Sequence, residues 1–261
     1  MGSSRSFDRA ADYYDRTRPF PEPAASLGVA AILKAAGPGA RMLEVGAGTG
    51  RVSIPLLESG TDLFGLDLSN KMLALLRSKH SSADLVQADA THIPFSSSQF
   101  DALLTVHVMH LVSGWKGALQ EFRRVLRPGG TYLNVRTYET GAQAVRRRSR
   151  AFWSSWVAEH GYQAFHPGIR DHEELVDELR QIGAQVDEIE VTRYTYRYTP
   201  REELDRTGSR IYSDTWDVPE GIFAASLLEL HDWMVEEIGD LDQVIEEEVS
   251  FNLEVARFGS Y

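Results

Sequence analysis

Residues 42–51 read MLEVGAGTGR. An apolar run ends at Val45 and passes into a loop with glycine at 46, 48 and 50. This is the pattern of a strand turning sharply into a helix, because glycine takes positive φ and lets the backbone approach another group closely. A tight β–α turn and a ligand-holding loop would both look like this. The dinucleotide fingerprint is G-x-G-x-x-G, and its third glycine would fall on position 51, which is Arg51. The spacing therefore disfavours a pyrophosphate.

Strand and helix signals alternate on either side of this loop. After TGRVSIPLLESG come a strand, DLFGLDLS, and a helix, NKMLALLRSKH. ADLVQADA and FDALLTVHVMH read as the third and fourth strands. GWKGALQEFRRVLRPGG is an amphipathic helix that Pro128-Gly129-Gly130 should end, and TYLNVRTY is the fifth strand. DHEELVDELRQIGA is a helix with Asp171 as N-cap and Glu174 three residues on, followed by the strand QVDEIEVTRYTYRYT. Val249, Phe251, Leu253 and Val255 alternate, which predicts a half-buried, antiparallel last strand. The fold class is α/β, a Rossmann-like seven-stranded, mostly parallel sheet with the last strand antiparallel and helical cap insertions. One domain is expected over 1–261, with a core from about 25–138, 170–198 and 245–261. The cap then comes from 1–24, 139–169 and 199–244.

Composition removes several function classes. The chain has no cysteine, so disulfides, zinc–thiolate sites and a cysteine nucleophile are out. His160 and His166 fit no metal-ligand spacing, and no metal is expected. The formal charge is −11, which disfavours a nucleic-acid partner. No run of eighteen apolar residues occurs and the N-terminus has no apolar signal region, so a cytoplasmic protein with no membrane partner is expected, monomeric or homodimeric. RRRSR at 146–150 reads as a solvated helix face, or else as an anchor for an anionic substrate.

In an open α/β sheet, ligands bind beyond the carboxyl ends of the strands. Asp67 ends the second strand, 21 residues after Gly46, where an acid can accept from ribose hydroxyls. Ser69 can cap the following helix alone, leaving Asp67 free. Asp89 follows the third strand, where it could take an exocyclic amine while the Ala90 N–H meets a ring nitrogen; read alone, it is a turn residue.

Together these residues resemble the class I S-adenosylmethionine-dependent methyltransferases. The resemblance is to the small-molecule group similar to the ubiquinone/menaquinone-biosynthesis enzymes (methyltransferase type 11). LEVGAGTGR, GLDLS, QADATHIPFSSSQFDALLTVHVMHLV and VLRPGGTYLNV look like that family's ordered motifs, covering about residues 7–137. The resemblance implies S-adenosyl-L-methionine as cofactor. Gly46, Ala47, Gly48 and Gly50 would lie against its methionine part, and Glu44 would orient the loop or reach the amino group. Asp67 would bind ribose, Leu68 and Met72 would pack near adenine, and Asp89 and Ala90 would meet its edge. FDRAADYYDRTRPF would fold over the cofactor, with Tyr14 on its side and Tyr13 and Arg18 toward a small-molecule substrate.

A sulfonium methyl is already electrophilic, so such a site must mainly align the reactants and exclude water. A base is needed only for an acceptor that arrives protonated, and His107 and His110 are the catalytic candidates. Phe152, Trp153, Trp156, Tyr162, Phe165, Tyr212, Trp216 and Trp233 either pack the cap or line an apolar pocket. Trp153, Trp156 and Tyr212 are the substrate-binding candidates, and Arg146, Arg147 and Arg210 could add an anion site. Two other functions compete: a cofactor-binding protein without methyl transfer, and a nicotinamide oxidoreductase. The glycine spacing and the lack of a Tyr-x-x-x-Lys pair count against the oxidoreductase.

Overall fold

A computed structural model describes residues 4–18, 20–141, 143–163 and 167–259. Phe165 and His166 lie outside the described residues. The chain divides into two compact units, one of residues 1–137, 167–192 and 251–261, the other of 138–166 and 193–250. The described part of segment 1–24, expected as cap, groups with the first unit.

The strands form one seven-stranded sheet among the described residues, in the order β3-β2-β1-β4-β5-β7-β6. They are β1 (Arg41–Val45), β2 (Asp62–Asp67), β3 (Asp84–Gln87), β4 (Phe100–Val106), β5 (Leu126–Glu139), β6 (Ala184–Tyr198) and β7 (Ile245–Phe258). β1 pairs in parallel with both β2 and β4, so Leu43 lies beside Phe64 on one side and Leu103 on the other. The sheet is mostly parallel and antiparallel among its last strands. Its order reverses beside β1, which brings the carboxyl ends of β1, β2 and β4 to one edge.

The helices of the first unit are α1 (Tyr14–Thr17), α2 (Ala24–Ala36), α3 (Ser53–Glu58), α4 (Asn70–Lys79), α5 (Trp115–Val125) and α7 (His172–Gln181), with α6 (Val145–Glu159) in the second. Ala118, Leu119, Phe122 and Val125 of α5 are buried in the main core, with Leu175 and Leu179 of α7 and Tyr132 of β5. The helix stops at Val125, three residues before Pro128, because Leu126 already takes an extended backbone. The Pro-Gly-Gly segment instead bulges from β5, between the pairs Phe100–Leu126 and Ala102–Thr131. Asp171 caps α7 by accepting the Glu173 N–H.

β7 departs from the half-buried expectation. From Val249 to Ala256 every residue is buried, including Ser250, Asn252 and Glu254. The strand lies between β5 and β6, with no edge of its own. Its alternating polar side chains therefore face partners inside the protein.

The second unit has its own core. Trp153 and Val157 of α6 pack with Phe223, Leu230 and Met234 of α9 (Glu220–Ile238), and α8 (Pro200–Gly208) joins them. Pro200 sits in the first turn of α8 behind a Thr199–Glu202 capping box. Trp153 is 3% exposed and donates its indole N–H to Ser226 Oγ at 2.9 Å. Tyr212 is buried and donates to the Glu203 carboxylate at 2.8 Å. Trp156 stacks on His160, and Phe152 on Trp233. Trp153 and Tyr212 thus spend their polar atoms inside this unit, where both also border a small cavity with Arg150 and Asp214. The 146–150 run is no solvated face either. Arg146 pairs with Glu139 and Glu203, Arg148 with Glu237, and Arg150 with Asp214. Arg210 is occupied with the carbonyls of Thr215 and Val218 and with Glu220.

Trp153→Ala should cost about 3–5 kcal/mol, the range for truncating a buried aromatic. Urea denaturation reads this as a lower midpoint. A change below about 1 kcal/mol would show that the ring is not core.

Candidate active site

The glycine loop is held by its own backbone. Gly46 and Ala47 donate their N–H groups to the Leu66 carbonyl of β2, at 2.7 and 3.0 Å. Gly48 donates to Asp67 Oδ2 at 2.8 Å, and Gly50 donates to the Ala47 carbonyl at 3.1 Å. A phosphate-binding loop needs these donors turned toward the ligand; here all four are used within the protein. With these four donors spent, the carbonyls around the glycines are acceptors suited to ammonium and hydroxyl groups.

The three glycines all have positive φ but differ in their surroundings. A side chain on Gly46 would strike Val108 Cγ2 at 2.2 Å, and one on Gly50 would meet Ile54 and Leu76 at 2.8 Å. At Gly48 the nearest atom is the Gly46 carbonyl oxygen 3.9 Å away, an ordinary contact, so sterics leave room there and the positive φ is what calls for glycine. Gly65 of β2, unremarked in the sequence, makes room in the same way for Ala47, whose Cβ would lie 3.1 Å from an added side chain.

Asp67 leaves the cap of α4 to Ser69 but has backbone partners of its own. Its carboxylate takes the N–H of Gly48 and, at 2.8 Å, that of Ser69. Burial raises its pKa above the ordinary value, against these backbone donors. Ser69 caps α4 as expected, accepting from Met72 N, while its hydroxyl donates to Asp8 at 2.5 Å. Asp89 accepts from the backbone N–H and the hydroxyl of Thr91. Burial opposes its ionisation, but these bonds outweigh it and hold the carboxyl below its usual range. Ala90 is buried in the main core. Leu68 is half-buried and its carbonyl accepts from Gln87. Met72 is fully buried, so it presents no face to an adenine here.

Glu44 is 2% exposed and accepts from Ser53 Oγ. Burial pushes its pKa up to about 8, so the acid is protonated at neutral pH.

The N-terminal segment is tied across these strand ends. Asp8 reaches Ser69 and the Lys71 N–H. Asp15 accepts from Thr49 at 2.5 Å and from Lys79 at 2.6 Å. Arg51, at the position of the absent glycine, donates to the Arg18 carbonyl at 2.7 Å and lies 3.9 Å over the Phe20 ring. Tyr14 packs edge-on to Phe7, with the Arg18 guanidinium 5.8 Å from its ring. The Tyr13 hydroxyl is buried with no hydrogen-bond partner among the described residues.

β4 ends at Val106, and His107 turns the chain with φ 56°. Val108 packs on Gly46, and residues Met109–Leu111 form a short 3₁₀ turn. His107 Nε2 lies 3.3 Å from Thr137 Oγ1. Burial first, then the charges of Arg51, His110, Arg18 and Arg136, push the His107 pKa well below its ordinary value, and the ring is neutral at physiological pH.

His107 and His110 share a cavity of about 220 Å3, also lined by Val108, Asn134, Arg136, Arg170 and His172. The last four are site residues that sequence reasoning missed. The strand-end rule could have pointed to Arg136, which ends the NVR stretch of β5. The buried Glu254 of β7 accepts from Asn134, Arg136 and His172, at 2.7, 3.0 and 2.5 Å. Nothing in an alternating strand pattern signals such a carboxylate.

A methyltransferase domain model matches residues 43–134. An uncharacterized methyltransferase of Mycobacterium bovis is 31% identical over 217 residues, 81% of this chain and 79% of that protein. The chain belongs to the class I S-adenosylmethionine-dependent methyltransferases. A demethylmenaquinone methyltransferase of Renibacterium salmoninarum is 40% identical over 93 residues, 36% of this chain; the match spans only 39% of that protein. The crystal structure of the [4+2]-cyclase SpnF aligns with TM-score 0.57 and 17% identity over 100% of this chain and 99% of that one. The fold is thus shared with a protein named for a different reaction. Among the described residues no helix is long and apolar enough to cross a membrane. Nor are three or more acidic or histidine side chains placed among them to hold a metal ion.

The raised pKa of Glu44 sets a pH dependence. The group binds its proton more tightly folded than unfolded, so its contribution to stability is full below about pH 4.5. That contribution falls as pH rises toward 8, by up to about 1.4 kcal/mol per pH unit. Glu44→Gln should flatten the decline in melting temperature between pH 5 and 8. An unchanged slope would mean that Glu44 titrates normally.

Proposed function

We propose that this methyltransferase transfers a methyl group from S-adenosyl-L-methionine to an oxygen, nitrogen or carbon of a small molecule, releasing S-adenosylhomocysteine. One observation carries the choice of cofactor: the N–H groups of Gly46, Ala47, Gly48 and Gly50 are all bonded within the protein, which leaves mainly carbonyls and carboxylates around the three glycines. That donor set suits a ligand with an ammonium, two ribose hydroxyls and an exocyclic amine. It does not suit a pyrophosphate, which counts further against a nicotinamide cofactor. The uncrowded Gly48 and the unpartnered Tyr13 hydroxyl fit such a ligand as well.

The bound cofactor supplies an electrophilic methyl group. In this reading Gly46, Ala47, Gly48 and Gly50 hold its amino-acid part, with Glu44 beneath the loop. Asp67 keeps lone pairs for the ribose hydroxyls beyond its two backbone donors. Asp89 and Leu68 serve the adenine. Tyr14 closes the cofactor side, and Tyr13 and Arg18 lie toward the acceptor. His107, neutral and in reach of a cavity, accepts the proton of an acceptor that arrives protonated, and His110 supports it. The reading includes a cytoplasmic monomer or homodimer with no nucleic-acid partner, in keeping with the net charge of −11. A second reading, cofactor binding without methyl transfer, is favoured by the fold shared with the cyclase.

Calorimetry should show S-adenosylhomocysteine binding in the micromolar range. Asp67→Ala should weaken it about ten- to a hundredfold, the loss expected for hydrogen bonds to a charged group. Tight NADH binding in its place would overturn the assignment. A labelled methyl donor offered with a panel of acceptors separates the two readings, since cofactor binding without label transfer to any acceptor class supports the second. His107→Ala should lose about a hundredfold or more in turnover, within the usual range for a general base, while keeping cofactor affinity. Unchanged turnover would remove His107 from the reaction.

A further inference from the structure

The 220 Å3 cavity beside His107 has an unusual lining. Its ionisable side chains are three histidines, His107, His110 and His172, and two arginines, Arg136 and Arg170. No carboxylate lines it among the described residues. The nearby acid is Glu254, which lies buried behind the wall, accepting from Arg136 and His172. Arg136 also has Glu188 at 3.8 Å. Arg18 and Arg51 add cationic charge around His107 from the N-terminal segment and the glycine loop. In a chain of net charge −11, this is a local concentration of positive and donor groups.

The wall is built rather than incidental. Gly168 donates to the His110 carbonyl at 3.1 Å, and Ile169 to that of Met109 at 3.2 Å. A Cβ on Gly168 would lie 2.1 Å from the Met109 carbonyl oxygen, so the two backbones touch where only glycine fits. This clamp sets Arg170 and His172 opposite His107 and His110. Val108 lines the cavity and also packs on Gly46, so one side chain separates the cavity from the glycine loop. The remaining lining includes Met109, Ile169 and Leu175, which are apolar. At about 220 Å3 the space is smaller than the roughly 300–1,000 Å3 of drug-sized sites.

We infer that this cavity is an acceptor subsite for a compact molecule bearing an acid group, a carboxylate or a phosphate, with Arg170 and Arg136 as its recognition residues. The inference rests on the methyltransferase reading for the word acceptor; recognition of the acid group stands on the cavity itself. Guanidinium groups meet planar or tetrahedral oxyanions with paired N–H donors, and the histidines add further donors. The apolar wall takes the body of the molecule.

The test uses benzoate, phenyl phosphate and neutral benzamide as probes, titrated into the full-length protein with and without saturating S-adenosylhomocysteine. At least one acid should bind about tenfold tighter than benzamide, reflecting charge-assisted hydrogen bonds. Whichever acid binds identifies the oxyanion. Arg170 is exposed, so Arg170→Gln should leave folding intact and weaken that acid about tenfold. Arg136→Lys, which keeps a cation beside Glu254, should weaken it too. Equal affinity for benzamide and both acids, or acid binding unchanged in both variants, would overturn the inference. Failure of S-adenosylhomocysteine to bind would instead count against the methyltransferase reading, leaving the acid–amide comparison intact.

Discussion

The Asp67 carboxylate is the joint on which the site depends. One oxygen takes the Gly48 N–H and the other the Ser69 N–H, so a single side chain fixes the glycine loop to the start of α4. Ser69 then caps that helix and binds Asp8, which carries the N-terminal segment into the same assembly. Three pieces of chain far apart in sequence thus share one small hydrogen-bonded cluster. Gly48 spends its N–H in this cluster, while Gly46 and Ala47 spend theirs on the Leu66 carbonyl of the neighbouring strand. The polarity of the loop follows from where its N–H groups go, more than from the spacing of its glycines.

Electrostatics divide along the same edge of the sheet. Acids lie at the ends of the first three strands: Glu44 and Asp67 in the last residues of β1 and β2, and Asp89 just after β3. Cations gather beyond β4 and β5, where Arg136 and Arg170 face the histidines. The boundary between them is Val108, packed on Gly46. Burial acts in opposite senses on the two sides. It keeps Glu44 protonated and His107 unprotonated, so both groups lose charge at neutral pH. In a desolvated site of this kind, the interaction between a ligand's charge and a remaining protein charge is stronger than it would be in water.

Much of this was legible in the sequence. The alternation of strands and helices, the turn at the glycines and the Ser69 cap all follow from local rules that the packing respects. The structure parts from the sequence where long-range partners decide. Glu254 looked like the solvent side of an alternating strand, yet β7 is enclosed on both edges and the acid bonds to side chains of β5 and α7. Trp153 and Tyr212 had the composition of a pocket, but their polar atoms find partners within their own unit. Arg146 belonged to a run that looked solvated, and its partners Glu139 and Glu203 are invisible to any local pattern. Gly168 carried no motif at all, because its reason is the backbone of another segment 58 residues earlier, at His110.

That main-chain contact has a consequence for how such a protein diversifies. The distance between the 167–170 segment and the turn after β4 is set by amide bonds and by the bare α-carbon of Gly168, not by the side chains that project from either. Positions 110 and 170 can therefore exchange one residue for another while these main-chain bonds persist. A lineage that keeps the glycine is free to retune what the cavity accepts by single substitutions, each tried against an unchanged scaffold.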